Sequence, residues 1–162
     1  MLRNIFNILF VILFVSCQSH SVETGIEIYQ VKKQLPDFTK DENPNCRFCL
    51  DLEVSDLFDK PLLTEKDIKE FNYTNQQIIL TEKAKQKLED LEIPLVGLPM
   101  AMVLDGEIIY GFWFWDKYSS FGCDRVYTYP NINFKIKFGL PPTNAFGEDP
   151  RFDERLEDYL EN

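Results

Sequence analysis

Pro99-Met100-Ala101-Met102-Val103-Leu104-Asp105-Gly106-Glu107-Ile108-Ile109-Tyr110 is the stretch whose reading decides the fold. Two apolar runs flank Asp105-Gly106, a dipeptide that suits the positive backbone angles at both central positions of a two-residue type I′ turn, so the stretch reads as an antiparallel hairpin. Working outward, Arg125 to Tyr129 and Asn133 to Phe138 read as two further strands, and Gln77 to Leu80 as one more. Gly25 to Val31 alternates apolar and polar residues, as a half-buried strand does.

Three helices are expected between and after these strands. Thr64 with acidic residues behind it predicts a short helix to about Glu70. Thr81 caps a second, with Ala84, Leu88 and Leu91 at helical spacing. Asp149 as cap and Pro150 at the first helical position open a terminal helix whose Phe152, Leu156 and Tyr159 or Leu160 face inward. The order of elements points to an α+β domain over residues 25–162, with a mostly antiparallel sheet and helices packed on one face.

The chain has 162 residues, 44% of them hydrophobic and 14% aromatic, which suits one domain with one packed interior. Its formal charge is −10, and clustered cations able to neutralise phosphates are lacking, so nucleic acid is excluded as a partner.

Three segments, PLLTEKDIKEF (61–71), QQIILTEKAKQKLEDL (76–91) and LPMAMVLDGEIIYG (98–111), resemble the head of the first periplasmic domain of SecD-type translocase subunits. There an LTxxDI segment precedes a strand, a helix and an LDG hairpin. The likeness extends to small bacterial lipoproteins built on the same core. It implies a fold and no reaction, and translocase activity does not carry over. A competing resemblance is to the thioredoxin fold, with Cys46 and Cys49 as its CxxC, then Pro99 and the Asp105-Gly106 hairpin. In that family the CxxC follows a buried strand and opens a helix, whereas here a long polar loop separates strand from motif.

The N-terminus carries an address. Residues 1–17, MLRNIFNILFVILFVSC, place Arg3 ahead of an apolar run from Ile5 to Val15 broken by Asn7. That run is shorter than the ~20 residues a bilayer span needs and fits the apolar core of a signal peptide over residues 1–16. Phe14-Val15-Ser16-Cys17 resembles the lipobox of bacterial lipoproteins, with Phe14 in place of the usual Leu. The resemblance implies cleavage before Cys17, lipid on that cysteine and a tether to residue 24. No acidic run follows, which by resemblance to lipoprotein sorting signals favours the inner side of the envelope over the cell surface. The expected location is the bacterial outer membrane, facing the periplasm, with the membrane as partner through the Cys17 lipid.

With Cys17 acylated, Cys46, Cys49 and Cys123 remain. In an oxidising compartment they form one disulfide, either within Cys46 and Cys49 or from that loop to Cys123, or they join a metal site. The single histidine, His20, falls in the tether, so Cys-His catalysis and a His-rich metal site lack their parts. No metal or other cofactor is expected.

Tyr110 to Phe121 is the most aromatic run. Continued as a strand, it turns Phe112 and Phe114 to one side and Trp113 and Trp115 to the other. An aromatic platform for a glycan, peptide or partner strand follows as a candidate, built from Trp113, Trp115 and Tyr118 with Tyr127 and Tyr129 nearby. Asp116 and Asp124 flank it as candidate paired carboxylates for a hydrolase. The expected role is a lipid-anchored binding or interaction domain at the envelope, with an envelope protein or glycan as partner and no catalysis. The rivals are thiol-redox work by Cys46 and Cys49 and a carbohydrate-active hydrolase.

Overall fold

The computed structural model of the protein describes residues 24–32 and 46–161. The expected signal peptide over residues 1–16, Cys17 and His20 lie outside those residues. Seven strands, β1 (Ile26–Gln30), β2 (Ile68–Asn72), β3 (Gln77–Leu80), β4 (Leu98–Leu104), β5 (Glu107–Phe114), β6 (Cys123–Tyr129) and β7 (Asn133–Leu140), form one sheet in the order β1-β4-β5-β6-β7-β3-β2. Every pairing is antiparallel except β5 with β6, which meet in parallel at Trp113–Tyr127 and Phe114–Thr128. Two helices, α1 (Glu82–Glu89) and α2 (Glu154–Glu161), complete an α+β fold.

The β4–β5 hairpin forms as its turn chemistry demands. Asp105 and Gly106 take φ of 49° and 83°, the left-handed pair of a type I′ turn. Met102 pairs with Tyr110 but Val103 with Ile108, so Ile109 is an extra residue that bulges β5.

Alternation along the strands sorts the interior into two layers. Ile26, Ile28, Met100, Met102, Phe112, Phe114, Val126 and Ile136 point to one face and form the main core, and Ala84 and Leu88 of α1 and Leu156 of α2 join the same cluster. Thr81 caps α1, its hydroxyl accepting the Ala84 amide at 3.2 Å. The opposite face carries Tyr29, Val31, Ala101, Val103, Trp113, Trp115 and Tyr127. It is covered by the segment from Cys46 to Leu57, irregular except for a 3-10 turn at Val54–Asp56, whose Phe48, Leu50, Leu52 and Leu57 pack down on the sheet.

Two expected helices differ. Thr64 and Asp67 do form a reciprocal cap, but over a single 3-10 turn (Glu65–Asp67), after which Ile68 turns extended and starts β2. Pairing with β3, Ile68 against Leu80 and Phe71 against Ile78, supplies the backbone partners that a continued helix would have supplied itself. The terminal helix begins later than Asp149. That carboxylate is spent on the Arg151 guanidinium, at 2.8 Å to Nε and 2.6 Å to Nη2, while Asp153 accepts the Arg155 amide and opens α2. Leu156 is fully buried as expected, but Phe152 lies outside and stacks edge-on with Tyr73 at 5.6 Å.

Candidate functional site

The aromatic run divides as its alternation requires, and both halves are covered. Phe112 and Phe114 enter the main core. Trp113 and Trp115, each 1% exposed, and Tyr127, 3% exposed, line a seat on the opposite face. The occupant of that seat is Phe48, itself 3% exposed, whose ring meets Trp113 at 5.3 Å and Trp115 at 5.1 Å, edge-on to both. An open platform of tryptophans is therefore not what the fold presents. Tyr129 is half-buried behind Tyr127, and Tyr118 alone of the five candidates stands out, 77% exposed, with Lys117 over its ring. Burial pushes the Tyr127 phenol up to about 12 and raises that of Tyr129.

What holds Phe48 down is a short strap. Cys46 and Cys49 are joined as a disulfide across Arg47 and Phe48, with the Cys46 side buried and the Cys49 side exposed. The successive amides of Arg47 and Phe48 donate to the Asp124 carboxylate at 2.7 and 3.0 Å, a two-amide nest around an anion. The indole Nε1 of Trp113 donates to the Phe48 carbonyl at 2.8 Å, buried. Gly111 lets the strap's continuation lie flat on β5, since a Cβ there would stand 2.7 Å from Leu50 Cβ. From the other side Gly97, at φ +88°, closes on Trp115 so tightly that a Cβ would fall 2.6 Å from its ring.

Beside the strap opens a cleft of about 370 Å³, lined by Arg47, Phe48, Asp124, Thr143, Asn144 and Phe146, a volume within the small-ligand range. Its far wall is fixed by β6: the Phe146 amide donates to the Asp124 carbonyl at 2.8 Å, and Arg125 Nη1 donates to the Phe146 carbonyl. Gly139, at φ +77°, turns β7 so that Leu140, paired with Cys123, leaves the main core and packs against the cluster of the opposite face, and residues 142–144 contact β6. On the cleft wall the ring of Phe146 is exposed. A second hollow of about 270 Å³, smaller but more enclosed than the first, lies between β3, α1 and the β6–β7 turn, with Ile79, Lys85, Glu89 and Ile132 on its walls.

The other candidates have structural employment. Cys123 is a free thiol, buried and raised by desolvation to about 12, its Sγ 3.6 Å from the Arg125 carbonyl. So of the open pairings the bond within Cys46 and Cys49 is the one formed. The CxxC opens no helix: residues 46–53 are irregular, and the helix-terminus field that activates a thioredoxin-type thiol is missing. Asp116 accepts the Tyr118 amide at 2.7 Å and Asp124 holds the strap, so each carboxylate has a local structural task. Among the described residues no group of three or more His, Cys, Asp or Glu side chains is placed to hold a metal, and no helix is long and apolar enough to cross a membrane.

Arg47, Phe48, Thr143, Asn144 and Phe146 are the site residues that sequence reasoning missed. The one local signal was Phe48 itself, a large apolar residue set between two cysteines in an otherwise polar loop. No protein family, curated protein or solved structure matches this chain.

Proposed function

We propose that the protein is a lipid-anchored lipoprotein of the bacterial envelope whose domain binds a partner molecule and does not transform one. The reading rests on Phe14-Val15-Ser16-Cys17 for the anchor and, for the binding role, on one observation: the cleft between strap and β6, where Arg47, Thr143 and Asn144 offer polar groups beside the exposed ring of Phe146. Convergent polar groups with an aromatic flank suit a glycan fragment or a short peptide from an envelope protein. The outer membrane, facing the periplasm, remains the proposed address, and the SecD-like head remains the proposed ancestry of the hairpin core.

Two measurements test it. Acyl labelling in cells is expected to mark the wild type and not Cys17→Ala; equal labelling overturns the anchor. Soluble glycan fragments and short peptides, titrated into the labelled domain, are expected to shift amide resonances at Arg47, Asp124 and Thr143 to Phe146 first. Shifts confined to the β3 side, or none with any probe, overturn the cleft.

A second reading, thiol-disulfide exchange, is favoured by the exposure of Cys49 in the bonded Cys46–Cys49 pair. Thiol trapping after treatment with a disulfide substrate checks it: turnover of that substrate by the reduced domain supports exchange, and a lack of turnover removes it.

A further inference from the structure

The strap is seated as a bound peptide would be. In two residues it combines an aromatic side chain in an aromatic pocket, a carbonyl accepting from the Trp113 indole at 2.8 Å, and two successive amides on the Asp124 carboxylate at 2.7 and 3.0 Å. Each of these groups comes from a part of the fold that the strap does not belong to, β5, Trp115 directly after it, or β6. Trp115, one ring of the same cluster, carries a buried Nε1 that has no hydrogen-bond partner among the described residues. An unsatisfied buried donor is costly, so an occupant whose acceptor reached it would gain over the strap itself.

We propose that the seat formed by Trp113, Trp115, Tyr127 and Asp124 is a binding site for a turn-forming peptide segment bearing an aromatic side chain, occupied by the chain's own Cys46–Cys49 loop until a dithiol reductant opens that disulfide. This deepens the binding reading above and rests on it. A tethered occupant is present at an effective concentration on the order of millimolar, which a free peptide does not displace readily. The disulfide strengthens that advantage by holding Arg47 and Phe48 bent in the seated form. Opening it takes one dithiol. A thiolate of the reductant attacks Sγ of exposed Cys49, the Cys46 sulfur leaves and takes up a proton, and the reductant's second thiol resolves the mixed disulfide. Two cysteine thiols and an oxidised reductant result. The strap then loses its bent form and exchanges with competing segments.

The probe is the strap's own disulfide-closed pentapeptide, Cys-Arg-Phe-Cys-Leu, with an analogue carrying Ala in place of Phe. It is titrated into oxidised wild type, the Cys46→Ser/Cys49→Ser variant and that variant with Trp113→Phe, following tryptophan emission. The two tryptophans of the chain, Trp113 and Trp115, both line the seat, so emission reports the seat alone. The opened variant is expected to bind the probe at least about tenfold more tightly than oxidised wild type, and the Ala analogue not to bind. Trp113→Phe, which keeps a ring but removes the donor, is expected to weaken binding by about tenfold. Where the serine variant fails to fold, wild type reduced with dithiothreitol and titrated with the linear peptide of the same sequence takes its place. Failure of the opened forms to bind the probe overturns the proposal, as does equal affinity in oxidised and opened forms. So do tryptophans that stay equally shielded from acrylamide after opening. If the probe fails while Asn144→Ala still abolishes ligand shifts in the cleft, the peptide seat falls and the binding reading stands; loss of both removes the two together.

Discussion

Asp124→Ala tests the strap's attachment most directly. The wild-type carboxylate receives the amides of Arg47 and Phe48 at 2.7 and 3.0 Å. Hydrogen bonds to a charged acceptor contribute about 1.5–3 kcal/mol each when desolvated. Arg47 is exposed and Asp124 half-buried, so water recovers most of the first bond, whereas Phe48 is buried and its amide loses its partner outright. The expected cost is about 2 kcal/mol, localised to the strap. Asn at the same position keeps one acceptor oxygen and is expected to cost about half. The assay is urea denaturation read by two signals. Tryptophan emission reports the seat, because Trp113 and Trp115 are the only tryptophans, and far-UV circular dichroism reports the sheet. In Asp124→Ala the emission transition is expected to move to lower urea and to precede the dichroism transition. A loss under about 0.5 kcal/mol, or coincident transitions shifted equally, refutes the claim that this carboxylate anchors the strap as a separable unit.

Three further outcomes follow from contacts already described. Gly111→Ala places a methyl 2.7 Å from Leu50 Cβ and 3.0 Å from Leu52 Cδ1, so it is expected to destabilise by about 1–3 kcal/mol through overpacking, as measured by thermal melting; a neutral result would mean the strap shifts freely. Cys123, raised to about 12 and buried, is expected to resist iodoacetamide at pH 8 until denaturant is added, as read by mass spectrometry, and rapid labelling of the folded protein would contradict its place in the seat cluster. For Asp149, burial alone pushes the carboxyl up, but hydrogen bonds from the Arg151 side chain and amide and its charge bring it below the ordinary value of 3.8. A lowered folded value means stability that is present above about pH 4 and lost as pH falls through the folded value, so Asp149→Asn is expected to flatten the stability profile below pH 4; an unchanged acid limb refutes the assignment.

What the sequence made legible was whatever local chemistry determines. Asp105-Gly106 allows one turn, and the alternation of Tyr110 to Trp115 separates tryptophans from phenylalanines before any partner is known. Thr64 misled because a capping box is equally at home on one 3-10 turn, and whether the chain then coils or extends was settled by β3, whose pairing lies beyond the local stretch. Asp149 misled because its guanidinium partner sits two residues away and outcompetes the helix amides. The walls of the seat, Trp113, Trp115 and Tyr127 with Asp124 beside them, were legible as a group, but the seat's occupant and the cleft were out of reach. Phe48 meets Trp113 across 65 residues, and the cleft joins Arg47, Asp124 and Asn144 from three separate stretches, so only the assembled tertiary structure brings them into contact.

Gly25, just ahead of β1, has so little room that a Cβ would lie 3.0 Å from Tyr159 Oη of α2, and Glu65 accepts the Ile26 amide at 2.8 Å beside them. The first and last described elements thus share one corner of the molecule. A short linker joining them, with new ends cut at Asp105-Gly106, would give a permuted chain with the same contacts. A reporter fused behind α2 would emerge beside the start of β1, a practical constraint on any fusion at that end.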